Sequence, residues 1–205
     1  IPNIDGTVRQ IPLFVNTDIG TLPNQVLETL RIINKSSRYK IVANQKGIQT
    51  VFVSKKKSFD TDKNGMFNIN FADVKTIKTY SVSDLISNQI NLKNKIVIVG
   101  LNSAGLSYLK DTPLGLMTDA KISAQAIETA LTETQLIRNG NTNLIELVGV
   151  LALGIFLVLT IPRLGITSTV VVYLTLLTAM IFVSVSLYNN HNYLLDVSFA
   201  TVFIT

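Results

Sequence analysis

Hydrophobic and polar positions divide this chain into two unlike parts. From Leu144 onward it is built of apolar runs: Leu144 to Ile161, Ile166 to Tyr188, and a third that starts at Tyr193 and continues to Thr205. At ~1.5 Å per helical residue the second run, about 23 residues, spans roughly 34 Å and exceeds the ~30 Å hydrocarbon layer of a bilayer. It carries no charge. The first run, about 18 residues, carries only Glu146, close enough to its entrance to sit among headgroups. A buried helical hairpin in a soluble core is the alternative. The short link Pro162-Arg163-Leu164-Gly165 between two membrane-length segments argues against it. The expectation is a soluble domain over residues 1–143, followed by an all-α transmembrane bundle over 144–205 with helices at about 144–161, 166–188 and 193–205.

The polar part alternates strand and helix patterns. Val8 to Val15 reads as a strand after an Asp5-Gly6 turn. Val26, Leu27, Leu30 and Ile33 follow helical spacing and predict a helix from about 23 to 34, with Pro23 in its first turn and Thr21 as a cap. Tyr39 to Ala43 and Ile48 to Val53 flank Gln45-Lys46-Gly47 as a pair of strands. The turn signal Lys63-Asn64-Gly65 precedes Phe67, Ile69 and Phe71, which alternate as on a half-buried strand. Ser81-Val82-Ser83-Asp84 has capping-box spacing ahead of a short helix. Lys95 to Gly100 is an uninterrupted apolar strand of the kind buried on both faces of a sheet. A long polar loop, 101–119, leads to a helix over 120–137 that Asp119 caps, with Ile122, Ala126, Ile127, Ala130 and Leu131 inward. The fold class is α/β or α+β: a mixed sheet with flanking helices and 95–100 at its centre.

Charge follows the same division. Seventeen of the 18 Lys and Arg and eleven of the 13 Asp and Glu precede residue 144, so the polar part is basic. Arg163 lies in the link between the first two apolar runs, while the turn Asn189-Asn190-His191-Asn192 has neither Lys nor Arg. The positive-inside tendency therefore puts Arg163 in the cytoplasm and residues 1–143 outside, a multi-pass topology in the inner (cytoplasmic) membrane. The chain starts without an initiator Met and ends inside an apolar run, so it is expected to be a piece of a longer protein.

Little in the sequence suggests catalysis. Cysteine is absent, and the single histidine, His191, reads as a solvated turn residue, too few for an all-protein zinc site. Gly100 to Gly105 has the outer spacing of a phosphate loop, but Leu106-Ser107 stand where a lysine and a Ser or Thr are needed to meet the phosphates and metal. Ser103 and Ser107 have no histidine base in the polar part. Asp84, Asp111 and Asp119 read as caps or loop residues. Lys55-Lys56-Lys57 reads as a solvated loop, with phosphate or anionic lipid as the other possibility. No metal, cofactor or nucleic-acid partner is expected of these residues. The bilayer is.

The glycine strand and its loop resemble a known family. Lys95-Ile-Val-Ile-Val-Gly100, then Gly105-Leu106, Thr112-Pro113-Leu114-Gly115 and a helix with Ala124 resemble the closing signature of the type-two CHASE domain, an extracytoplasmic sensor of bacterial receptors. Matches extend back through Ser81-Val-Ser-Asp84-Leu85 and Asn68-Ile-Asn-Phe71 to Asp5-Gly6-x-x-Arg9 and Ile11-Pro12-Leu13. The chain departs from the family where Tyr108 replaces an Asp and where Ser123-Ala124 replaces a His-Ala pair. The resemblance implies structural motif positions at Asp5, Gly6, Arg9, Gly100, Gly105, Pro113 and Gly115. It also implies an unidentified extracytoplasmic ligand and three membrane helices ahead of a cytosolic effector. Such effectors include adenylate or guanylate cyclases, histidine kinases and serine/threonine kinases, of which a class III cyclase is the first choice. These 205 residues would then be non-catalytic in an enzyme that works as a homodimer. A membrane assembly or transport component is the other class, although a transporter is expected to place charges or broken helices at mid-membrane.

Sensing is expected in the loop from Leu101 to Asp119, with Asp111, Thr112, Ser107 and Ser103 as ligand candidates. The loop leaves the carboxyl end of the inferred central strand, where open α/β sheets bind ligands. The alternative is that Thr112-Pro113-Leu114-Gly115 is a rigid turn.

Overall fold

Alternation at residues 67–71 directs Phe67, Ile69 and Phe71 to one side of the chain. In the computed structural model all three are buried. The structure describes residues 5–45, 47–55, 57–71, 77–87, 90–101, 108–137, 142–160, 162 and 165–193. Contacts divide the chain into two compact units, Ile1–Gln135 and Leu136–Thr205.

The strands of the first unit are β1 (Gln10–Pro12), β2 (Phe14–Thr17), β3 (Gly20–Pro23), β4 (Lys40–Asn44), β5 (Gly47–Phe52), β6 (Ser58–Asp60), β7 (Met66–Asn68), β8 (Leu109–Thr112) and β9 (Gly115–Thr118). Its helices are α1 (Gln25–Ile33), α2 (Val82–Ser87) and α3 (Asp119–Thr132). The strands form four small sheets, β1-β7, β2-β3, β4-β5-β6 and β8-β9, and every ladder is antiparallel. The core is a layer of α1 and α3 packed on strand side chains: Val26, Leu27 and Leu30 meet Ile122, Ala126, Ile127 and Ala130 over Val51, Phe59 and Phe67. Phe59 and Phe67 pack edge to face, with centroids 5.7 Å apart.

Local chemistry explains most element ends. The expected strand over 8–15 is split because Leu13 turns into the core, 1% exposed, its N–H bonded to Gly65 O and its own carbonyl to Asn24 N–H. Pro23 closes β3 opposite Phe14, and Asn24 caps α1 by accepting the Leu27 N–H at 2.8 Å; Thr21, the expected cap, bonds Asn16 instead. The strand pair around residues 45–47 is present as β4 and β5. The capping box is reciprocal: Asp84 N–H donates to Ser81 Oγ, and Ser81 N–H donates to the Asp84 carboxylate.

Further expectations need correction. Residues 95–100 form no strand; Ile96 and Val97 are half exposed, Val99 is 88% exposed, and Ile98 alone packs against the core. Among the described residues no ladder includes this segment, and the strands form four small separate sheets rather than one mixed sheet. The loop 101–119 is not wholly irregular: Tyr108 onward it becomes the β8-β9 hairpin. Asp119 is the first residue of α3 rather than its cap, and α3 ends at Thr132 because Glu133 adopts a left-handed conformation at φ +59°.

In the second unit, α4 (Thr142–Thr160) and α5 (Ile166–His191) are apolar around their circumference, with Leu147, Val158, Val170 and Phe182 all exposed. A window of α5, Thr167–Asn190, has a mean hydropathy of 2.4 and is long enough to cross a membrane; the apolar part of α4, Glu146–Thr160, is shorter. The α5 helix runs through the expected turn at 189–191 and stops where Asn192 takes φ +52°, its N–H bonded to the carbonyls of Leu187 and Tyr188. There Thr142 Oγ1 and Tyr193 Oη are 2.8 Å apart and Ile137 bridges Tyr193, so the start of α4 meets the end of α5. The expected third helix, and Arg163, lie outside the described residues.

Candidate functional site

The segment 98–101 and the first turn of α3 line an open cleft of about 310 Å³. Ile98, Val99, Leu101 and Tyr108 supply its apolar wall, and Gln25, Thr118, Asp119 and Ser123 its polar one. The two walls are drawn together by Gly100, where an added Cβ would stand 2.3 Å from the Ala120 Cβ. Only a residue without a side chain permits that approach. Tyr108 is 89% exposed, whereas Thr118 is 4% exposed. Thr118 ends β9 and immediately precedes α3, but its side chain makes no capping bond. Beside it, Lys110 Nζ lies 2.7 Å from Asp119 Oδ1 and offsets the charge at the helix start.

Of the other expected motif positions, Asp5, Gly6 and Arg9 form a turn and Pro113 and Gly115 part of a hairpin, none of them lining the cleft. Asp5 accepts the Thr7 N–H across Gly6, which sits at φ +79°, and takes the Arg9 guanidinium at 2.6 Å. The Thr7 amide, and then Arg9, hold the Asp5 carboxyl below its usual range. This turn is tied to the hairpin where Val8 N–H donates to Asp111 O at 2.8 Å. Pro113 and Leu114 make the hairpin tip, Thr112 Oγ1 donates to Gly115 O, and Gly115 closes it at φ +95°.

Of the ligand candidates, Asp111 is exposed on β8 and Thr112 is buried in the hairpin; neither lines the cleft. Ser103, Gly105 and Ser107 lie outside the described residues. Tyr108 and Ser123, where the chain departs from the family pattern, both line the cleft. Sequence reasoning missed Thr118 and Gln25, because nothing local marks a threonine before a helix as anything but a cap.

It also missed a buried polar cluster. Gln125 Nε2 donates to Asn70 O at 2.9 Å, Asn70 N–H donates to Thr129 Oγ1, and Asn70 Nδ2 donates to Thr134 O. Lys57 Nζ, 3.1 Å from Glu133 Oε1, also donates to Leu131 O at the end of α3. Lys57 is thus an anchored residue rather than a solvated one. Among the described residues no group of His, Asp and Glu has metal-binding geometry.

An α/β domain with a cleft beside its last helix and apolar helices in the following unit suits a receptor's sensory module. Residues 1–161 match the CHASE2 domain model, and the chain belongs to that family. CHASE2 domains are extracellular sensor domains of signalling receptors, so the domain is extracellular or periplasmic. No curated protein and no solved structure matches the chain significantly.

Proposed function

We propose that this chain is the sensing part and membrane anchor of a one-chain bacterial receptor. Residues 1–143 face outward, α4, α5 and the run 193–205 cross the inner membrane as a bundle, and a cytosolic effector of the homodimeric receptor responds. The observation that carries this is α5, an uncharged helix of membrane length with exposed apolar side chains, in the unit that follows the sensor domain. The Thr142–Tyr193 contact supports paired crossings, since it brings both ends of a helical hairpin to one side. The apolar part of α4 is short for ~30 Å of hydrocarbon, and local thinning or its headgroup-level ends would accommodate it.

The chain contains no cysteine, so single cysteines can be introduced at Ser54, Arg163 and Asn190 and labelled in intact cells. Labelling at 54 and 190 but not at 163 is expected. Labelling only at 163 would overturn the topology. For the effector, a class III adenylate or guanylate cyclase is the leading assignment. Cyclic-nucleotide synthesis by the full-length receptor in a cyclase-deficient host tests it, and a kinase output instead would remove the cyclase while leaving the sensor.

A further inference from the structure

Positive charge in the outer unit is concentrated in one stretch. Residues 29–59 hold eight of the 18 Lys and Arg and none of the 13 Asp and Glu, which leaves nine cations against eleven acids in the rest of the chain before residue 144. Two of the eight are engaged within the fold: Arg31 pairs with Glu28 and donates to Ser36 O at 2.6 Å, and Lys57 pairs with Glu133. The Arg31 bond holds the loop between α1 and β4 to the helix end. Lys35 and Arg38 on that loop, and Lys40 at the start of β4, are exposed, and among the described residues none of the three pairs with a carboxylate. Lys40 faces Phe52 across the β4-β5 ladder, its Nζ 5.7 Å from the ring centroid, so Lys55, also exposed, leaves the same end of that sheet. Apolar side chains flank the cations. Ile32 and Ile33 are exposed in the last turn of α1, and Ile41 and Val42 follow Lys40 on β4, an edge strand exposed along its whole length. A solvated basic loop accounts for the charge but not for four exposed aliphatic side chains beside it.

We propose that the face from Ile32 to Val42 rests on an anionic phospholipid surface, with Lys35, Arg38 and Lys40 against the lipid phosphates and the neighbouring isoleucines at the boundary between headgroups and acyl chains. Cations interleaved with aliphatic side chains are the composition of interfacial membrane segments, in which each kind of side chain meets one layer of the lipid. Charge complementarity favours this occupant: no acid lies between residues 29 and 59 to repel the phosphates, and Glu28, just before them, is neutralised by Arg31. A soluble anion would meet the cations and leave the isoleucines in water. The outer domain then has a lipid contact of its own besides the membrane helices. The assignment rests on the anchored reading in that those helices keep a bilayer within reach.

The test uses the whole chain in lipid nanodiscs. Ser37→Cys places a fluorophore on this face, and Asp18→Cys, at the exposed tip of the β2-β3 hairpin, places one away from it as control. Quenching by lipid spin-labelled at the headgroup is compared between phosphatidylglycerol and phosphatidylcholine discs. Quenching at position 37 should exceed that at 18 severalfold in phosphatidylglycerol, and should fall to the control level in phosphatidylcholine or at about 0.5 M salt. Lys35→Gln, Arg38→Gln and Lys40→Gln together should abolish it, because about fivefold of contact per cation compounds to about a hundredfold. Lys93→Gln with Lys95→Gln, exposed cations outside the face, should leave it unchanged. Equal quenching at 37 and 18, equal quenching in the two lipids, survival in the triple variant, or the same loss in the Lys93 and Lys95 variant would each overturn the assignment. So would a response of the fluorophore at 37 to heparin without lipid quenching, which would give the face to an acidic polysaccharide. None of these results alters cysteine labelling in cells, so failure here is separable from failure of the sensor topology.

Discussion

Gly100 stands so close to Ala120 that a methyl group on the first would lie 2.3 Å from the methyl group of the second. The contact sets the width of the cleft, and it follows from side-chain volume rather than from an unusual backbone angle. Gly100→Ala should therefore destabilise the outer unit by about 1–3 kcal/mol, as overpacking does. Adding Ala120→Gly should recover much of that loss. Urea unfolding followed by near-ultraviolet circular dichroism is the measurement, and a double variant no better than the single one would show that the contact is not the cause.

Val97→Asp distinguishes two accounts of the segment 95–100. In a central strand the carboxylate would be buried unpaired and would unfold the domain, at a cost of several kcal/mol. Val97 is 49% exposed in the structure, so the expected change is within about 0.5 kcal/mol. A collapse of the variant domain would restore the segment to the core.

Thr129→Val examines the cluster that holds the end of α3. The hydroxyl accepts the Asn70 N–H at 3.2 Å and donates to Gln125 O at 2.8 Å, and valine keeps its shape but neither bond. A loss of about 1 kcal/mol is expected on unfolding. Hydrogen exchange of amides 125–132 should accelerate with it, and unchanged exchange would count against the cluster as an anchor.

The Glu28-Arg31-Tyr39 group gives the outer unit a pH dependence with a definite sign. Arg31, and then the Tyr39 hydroxyl, hold the Glu28 carboxyl at about 2, below its ordinary 4.5. Because the folded value is the lower one, this stabilisation is complete above about 4.5 and is lost as pH falls toward 2. Burial, and then the Glu28 bond, raise Tyr39 from 10.0 to about 12, so its share is complete below 10.0 and is lost as pH rises toward 12. Glu28→Gln should flatten the acid limb of a stability profile, and an unchanged acid limb would assign that limb to other carboxylates.

Features written into a few neighbouring residues were legible in the sequence. Asp5 and Gly6 form the expected turn, and Ser81 and Asp84 cap one another. Phe67, Ile69 and Phe71 share a buried side because alternation needs no distant information. Partnerships across the fold were not legible. The amide of Gln125 meets Asn70 across 55 positions, and no local pattern announces it. A run such as 95–100 satisfies the pattern of a buried strand whatever its neighbours do, and whether it becomes one depends on a distant strand pairing with it, which none of the described ladders does. The cleft combined both difficulties: its glycine was visible as a motif position, whereas Gln25, Tyr108 and Thr118 come together there only in the fold.

The bond between Thr142 and Tyr193 has a consequence for the order in which parts of the second unit can respond. Between these residues the chain travels up one helix and down another, yet the hydroxyls touch and Ile137 bridges the same tyrosine. A displacement of Ile137 or of Thr142 is therefore shared with Tyr193 through one hydroxyl pair and one backbone bridge. The chain between Thr142 and Tyr193 is closed on itself by that clasp, and the clasp, rather than the long helices, is where a mechanical shortcut through this unit begins.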